Sequence, residues 1–221
     1  MDQDQYLSSA RFIDSDSADV VAFAHDVISG ATGEVDKVQR LYAAVRDGIA
    51  YDPYVNFADP TNFRASGVLA ARRGFCVGKA ALLAACCRAT GIPARVGYAD
   101  VRNHMTSPKL YQRIKTDVFI WHSYAEPFVA GRWVKATPAF DAALCARVGI
   151  APLAFDGQTD SLFHPFDRTG RRHMEYLKDR GAFADVPFET MLADFRAAYP
   201  MLISEAGISG DFRAEAVAAR D

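Results

Sequence analysis

The sequence predicts an α+β fold in which helices come first and an antiparallel sheet follows. Apolar residues recur at helical spacing over residues 34–48, and they cover nearly every face of the segment that begins at Cys76. From residue 94 the pattern changes to extended runs, with Ala130-Gly131 as a tight turn between two of them. We therefore expect N-terminal helices and a central cysteine helix packed on a sheet.

The N-terminal part is predicted to contain helices separated by one long loop. Ser15 or Ser17 can cap a first helix that runs to about residue 29, and a second helix is expected over residues 34–48. Residues 51–63 are polar and marked by prolines, so we predict a loop there. A short helical turn is expected next, over residues 66–72, just before the cysteine helix.

The cysteine helix has a start and a stop signal. A glycine precedes Cys76 by two positions, an apolar run follows, and Gly91 and Pro93 close it. Glycine followed by proline is a common helix end. The helix is therefore predicted to begin at Cys76 and to end near Gly91.

The strands are predicted downstream of this helix. Residues 94–101 form the first, residues 118–129 form a long second strand, and a hairpin leads into residues 132–136. Residues 103–115 are polar and are predicted to be a loop.

We predict a single domain over residues 1–221, with a core of about 34–141 and a C-terminal helical extension of about 155–221. Within the extension, residues 171–180 and 187–199 are predicted to be helices.

Composition excludes several classes of function. The formal net charge is −2 and 24% of residues are charged, which argues against nucleic acid or an anionic membrane surface as a partner. The N-terminal segment is acidic and the apolar runs are shorter than a membrane span, so a cytoplasmic protein is expected. The four cysteines form no CxxC pair, and we expect no metal and no cofactor.

Cys76 is the candidate nucleophile. A thiol at the start of a helix meets unpaired N–H groups and the positive end of the helix dipole, which favour the thiolate and predict a low pKa. A cysteine nucleophile also needs a base, and His122 lies in the second predicted strand. A cysteine at a helix N-terminus with a histidine on a strand is the papain-type arrangement.

Three stretches together resemble the transglutaminase-like superfamily of papain-fold cysteine enzymes. They are ASGVLAARRGFCVGKAALLAACCRATGIPARV around the cysteine, WHSYAEPFV around the histidine and GRWVKATPAFD after the hairpin. The resemblance covers residues 41–141. It implies a papain-like fold and a Cys-His-Asp triad, with Cys76 as nucleophile and His122 as general base.

The third triad position departs from the family pattern. Thr137 stands where the family often has aspartate, and the next carboxylate is Asp141, four residues on. Three alternatives follow: Asp141 reaches His122, Thr137 serves as a weaker orienting group, or the triad is incomplete. We predict Asp141 as the third catalytic residue.

An oxyanion hole is also required. The Cys76 N–H is the natural first donor, and Tyr51, Tyr54 and Asn56 are candidates for the second by residue type. Farther along, His164 and His173 belong to a segment rich in His, Asp and Arg, which could line a substrate mouth or simply be a solvated loop.

The predicted function is thiol-dependent acyl transfer on a peptide, protein or other amide substrate, with water as the acceptor, as in an amidase or cysteine peptidase. Transamidation by an amine is one alternative. A catalytically degenerate module that binds peptides or proteins is another, and Thr137 would then mark the loss of the triad.

Overall fold

The computed structural model describes residues 3–104, 106, 108–163, 166, 170–200 and 210–218. Its α-helices are α1 (Ala18–Val27), α2 (Gly33–Gly48), α3 (Ala65–Ala71), α4 (Cys76–Ala89), α5 (Pro108–Ile114), α6 (Ala142–Val148), α7 (Phe188–Ala198) and α8 (Phe212–Ala218). Its strands are β1 (Ala50–Tyr51), β2 (Arg73–Gly74), β3 (Ala94–Asn103), β4 (Val118–Val129), β5 (Arg132–Trp133) and β6 (Met174–Phe183). Two short 3₁₀ helices lie at Asp4–Tyr6 and Pro60–Phe63.

The main sheet has the strand order β5-β4-β3-β6, and all its neighbouring pairs are antiparallel. The predicted hairpin joins β4 to β5 through Ala130 and Gly131. In the centre of the sheet, His122 of β4 lies opposite Ala99 of β3. A sheet that follows helices confirms the predicted α+β class.

Helix α4 is the central element of the core. Its residues from Val77 to Arg88 are buried, and it packs against α1, α2, α3 and β4. A helix that is apolar on all faces requires such surroundings. Gly78 explains one close approach: a methyl group there would lie 2.5 Å from the backbone oxygen of Asn62. The predicted central position of the cysteine helix is confirmed.

Two local predictions are wrong. Residues 171–180 were expected to be helical, but β6 occupies most of this segment and pairs with β3. The free edge of β3 supplies backbone partners that outweigh the local helical preference. The predicted loop 103–115 contains α5, which Pro108 begins and whose Leu110 and Ile114 share one buried face.

The helices of the described ranges are too short or too polar to cross a bilayer.

Candidate active site

Cys76 and His122 line the same cavity, which has a volume of about 450 Å³. Cys76 is the first residue of α4, and His122 lies in the middle of β4, against which α4 packs. No hydrogen bond joins these two described side chains. The fold therefore brings the two predicted residues to one site without a preformed bond between them.

The surroundings of the Cys76 thiol favour its protonated form at neutral pH. Burial raises the pKa of the thiol to about 11, although the backbone N–H groups of Ser123, Val77 and Cys76 itself lower it. The predicted low pKa is therefore wrong for this state. The loss of hydration destabilises the thiolate more than the helix start and the backbone N–H groups stabilise it.

His122 is neutral at pH 7. Only 6% of the residue is exposed, and burial lowers the pKa of its imidazole to about 4. The ring lies between aromatic neighbours, with centroid distances of 5.3 Å to Phe163 and 6.1 Å to Tyr176. Its Nε2 is buried and has no hydrogen-bond partner. A neutral imidazole can accept a proton, but nothing on Nε2 holds this ring in place.

Asp141 makes no hydrogen bond to His122 in the described part of the chain, so the predicted Asp141–His122 bond is absent there. It caps the N-terminus of α6, where its Oδ1 accepts from the Leu144 N–H at 2.9 Å. Its Oδ2 accepts from the Tyr51 N–H at 2.9 Å and from the Arg213 guanidinium. Both oxygens of the Asp141 carboxylate therefore already accept hydrogen bonds, from the start of α6, from Tyr51 and from the half-buried Arg213.

Thr137 has an unpaired hydroxyl on the His122 side of the sheet. Ala136 bridges Ala125 in antiparallel fashion, so Thr137 falls opposite Tyr124 and shares the face of His122. Thr137 is 1% exposed, and its Oγ1 makes no hydrogen bond of good geometry, although the hydroxyl lies close enough to Tyr176 to lower the pKa of that phenol. Two unpaired polar atoms, His122 Nε2 and Thr137 Oγ1, are thus buried on one face.

The three candidates for the second oxyanion-hole donor differ in their position relative to the cavity. Tyr51 lines the cavity. The Tyr54 hydroxyl pairs with Glu215, and the exposed Asn56 uses its Oδ1 to accept from the Ala58 N–H. Of these three, Tyr51 alone borders the cavity that contains Cys76.

The family model described as the transglutaminase-like superfamily matches residues 21–138, more than half of the 221-residue chain. The chain belongs to the transglutaminase-like superfamily. No curated protein matches it.

Three solved structures are similar to this superfamily member. A proposed cysteine protease from Cytophaga hutchinsonii is 19% identical with a TM-score of 0.49, over 81% of this chain and 46% of the other. A proposed protease from Parabacteroides distasonis ATCC 8503 is 20% identical with a TM-score of 0.41, over 61% and 25%. A TGase is 17% identical with a TM-score of 0.40, over 60% and 34%. This transglutaminase-like chain spans less than half the length of each.

Lys79 is a site neighbour that the sequence reasoning missed. It is fully buried one turn after Cys76, and its Nζ donates to the backbone oxygens of Arg46 at 2.8 Å and Ile49 at 2.6 Å. Burial lowers the pKa of its ammonium group to about 7. The signal was a lysine in the interior of a helix whose other charged residue, Arg88, lies in the last turn. These two bonds join the end of α2 to α4.

The cavity walls of this transglutaminase-like protein are mostly aromatic and aliphatic. Phe212 of α8 reaches the cavity and packs on Tyr51, with ring centroids 5.7 Å apart. His173 also lines the cavity, whereas His164 lies outside the described residues. Within the described part of the chain, no three His, Cys, Asp or Glu side chains are grouped to hold a metal ion.

Proposed function

We propose that this protein is a cysteine hydrolase that cleaves an amide through an acyl-Cys76 intermediate. The observation that carries the proposal is that the thiol at the start of α4 and a neutral His122 border one cavity. Membership of the superfamily supports the same assignment.

The chemistry proceeds in two displacements. As the Cys76 sulfur attacks the amide carbon, His122 takes the thiol proton and then returns it to the leaving nitrogen when the C–N bond breaks. Water attacks the resulting thioester, His122 accepts a proton from that water, and the acid leaves as the thiol is restored. The Cys76 N–H is the natural donor to the developing oxyanion.

The resting state is a neutral pair. With the pKa of the thiol at about 11 and that of the imidazole at about 4, proton transfer accompanies attack instead of preceding it. His122 is therefore a general base in this proposal, and no thiolate-imidazolium pair is stored beforehand.

The group that orients His122 is Thr137 in this proposal. Its hydroxyl is buried on the same sheet face, where Tyr176 is its neighbour, whereas the Asp141 carboxylate already has three donors. A hydroxyl can accept from Nε2–H, but it stabilises an imidazolium less than a carboxylate does. Asp141 then acts as a positioning residue that holds the backbone of Tyr51 at the cavity wall.

Water is the favoured acceptor. The described residues that line the cavity include no Asp or Glu. A lysine acceptor arrives as an ammonium ion and must lose its proton before it attacks, and the lining has no carboxylate to pair with that charge or to take that proton.

A binding module without catalysis is the second candidate. The high pKa of the Cys76 thiol and the unpaired Nε2 of His122 favour it. In that case the cavity holds a ligand and the thiol remains inert.

The test is turnover of a panel of p-nitrophenyl esters and anilides, with mass spectrometry of the trapped acyl-enzyme. Cys76→Ala is expected to abolish turnover and the acyl adduct. Cys86→Ala is the matched control, because it removes a buried thiol from the same helix away from the cavity. Turnover of Cys76→Ala at the wild-type rate would show that the nucleophile is wrong.

A further inference from the structure

The cavity beside Cys76 is built chiefly from apolar side chains. Its volume of about 450 Å³ lies in the range of small-molecule sites. The aromatic and aliphatic side chains that line it include Phe57, Phe119, Ile120, Phe140, Phe163 and Phe195.

We propose that this cavity receives a large apolar acyl group that carries no positive charge, so that the substrates are amides or esters of medium-chain aliphatic or aromatic acids. The assignment rests on the proposed function, because it places the carbonyl carbon at the Cys76 sulfur. It adds the chemical class of the group that is transferred.

The charges of the lining argue against a cationic acyl group. No carboxylate belongs to the described lining, and the exposed Arg171 and Arg172 are among its basic members. An acyl group with an ammonium would have to leave water without a counter-ion. An apolar chain instead gains about 0.8 kcal/mol for each methylene that it buries.

The walls are held together before any ligand binds. The Tyr199 hydroxyl, just beyond α7, donates to the Val118 oxygen at 2.7 Å and accepts from the Ile120 N–H at 2.8 Å. These bonds fasten the end of α7 to β4. Ile114, the last residue of α5 and four residues before β4, also lines the cavity. A preformed pocket lowers the ordering cost of binding, so chain length is expected to affect affinity directly.

The first experiment measures kcat/KM for p-nitrophenyl acetate, butyrate and octanoate, with the Cys76→Ala rate subtracted. We expect an increase of about fourfold per methylene, which is 0.8 kcal/mol converted at room temperature. Ile114→Trp fills part of the cavity and should lower the octanoate-to-acetate ratio at least tenfold. Leu177→Trp is the control, since Leu177 is exposed and does not line the cavity. If Ile114→Trp fails to fold, Val148→Trp tests another lining position.

The second experiment measures binding without turnover. Trp121 lines the cavity and Trp133 does not, so Trp133→Phe leaves Trp121 as the only indole in a two-tryptophan chain. In the Cys76→Ala background, octanamide should change its fluorescence saturably at a concentration at least tenfold lower than acetamide.

The outcomes are distinguishable. Cys76-dependent turnover with no chain-length preference would overturn the acyl assignment and leave the hydrolase proposal standing. Chain-length-dependent binding without any Cys76-dependent turnover would overturn the hydrolase proposal, and with it the acyl role of the cavity. Equal responses to octanamide and acetamide would refute the apolar site directly.

Discussion

The Asp141 carboxylate accepts a hydrogen bond from the Tyr51 N–H at 2.9 Å, although the two residues are 90 positions apart. The same oxygen pairs with Arg213 of α8. Asp141 therefore joins the wall of the cavity, the start of α6 and the C-terminal helix. It is a structural junction beside the candidate site.

Asp141→Ala is expected to lower the free energy of unfolding by about 2 kcal/mol or more, because it removes a helix cap and leaves Arg213 without its partner. Asp141→Asn should cost less, since asparagine also caps helices. Urea denaturation monitored by circular dichroism measures both. A hundred-fold loss of kcat in Asp141→Asn with unchanged stability would instead restore Asp141 as the residue that orients His122.

Thr137→Val should lower kcat about fivefold, the loss expected when one hydrogen bond of roughly 1 kcal/mol disappears from the transition state. Thr137→Ser keeps the hydroxyl and should retain most of the activity. Steady-state kinetics with the best ester from the panel provides the readout. Equal rates for the valine and serine variants would remove Thr137 from the mechanism.

The pH profile of kcat/KM should have its acid limb near pH 4, because burial lowers the pKa of His122 to about 4 and only the neutral ring accepts a proton. Activity should stay flat from pH 5.5 to 8. The matching stability effect has a defined sign: the unfolded histidine binds its proton near pH 6.5, so the folded state loses stability as pH falls from 6.5 to 4. An acid limb near 6.5 would contradict a buried neutral base.

Alkylation of Cys76 by iodoacetamide in the resting protein should rise with pH towards about 11, because the thiolate forms only as the thiol loses its proton. Peptide mapping separates this cysteine from Cys86 and Cys87, which are fully buried in the same helix. A midpoint below 8.5 would show that the helix start outweighs burial after all.

Gly78→Ala is expected to destabilise the fold by about 1–3 kcal/mol, because its methyl group would lie 2.5 Å from the Asn62 oxygen and 2.6 Å from Val68. Gly48→Ala is the matched control in α2, where nothing lies within 4 Å of the added methyl. It should be neutral or stabilise by about 0.5–1 kcal/mol. Thermal melts of the two variants decide whether the α3–α4 contact is as close as described.

Much of the framework could be predicted from local pattern. The segment from Cys76 is apolar on nearly every face, so a buried helix was the consistent interpretation. The long strand around His122 has the predicted bounds Val118–Val129. Turn chemistry located the hairpin at Ala130-Gly131 because that turn depends on adjacent residues.

Tertiary structure decided what depends on distant partners. Residues 174–183 became β6 because β3 offered an edge, and Asp141 went to Tyr51 and Arg213 instead of His122. The pKa of Cys76 likewise depends on burial, which is set by the walls that other segments contribute. Sequence alone determined which residues are the candidates for nucleophile and base, since both are marked by residue type and local element. Their protonation and hydrogen bonds were decided by the packing around them, because desolvation and bond geometry act through space.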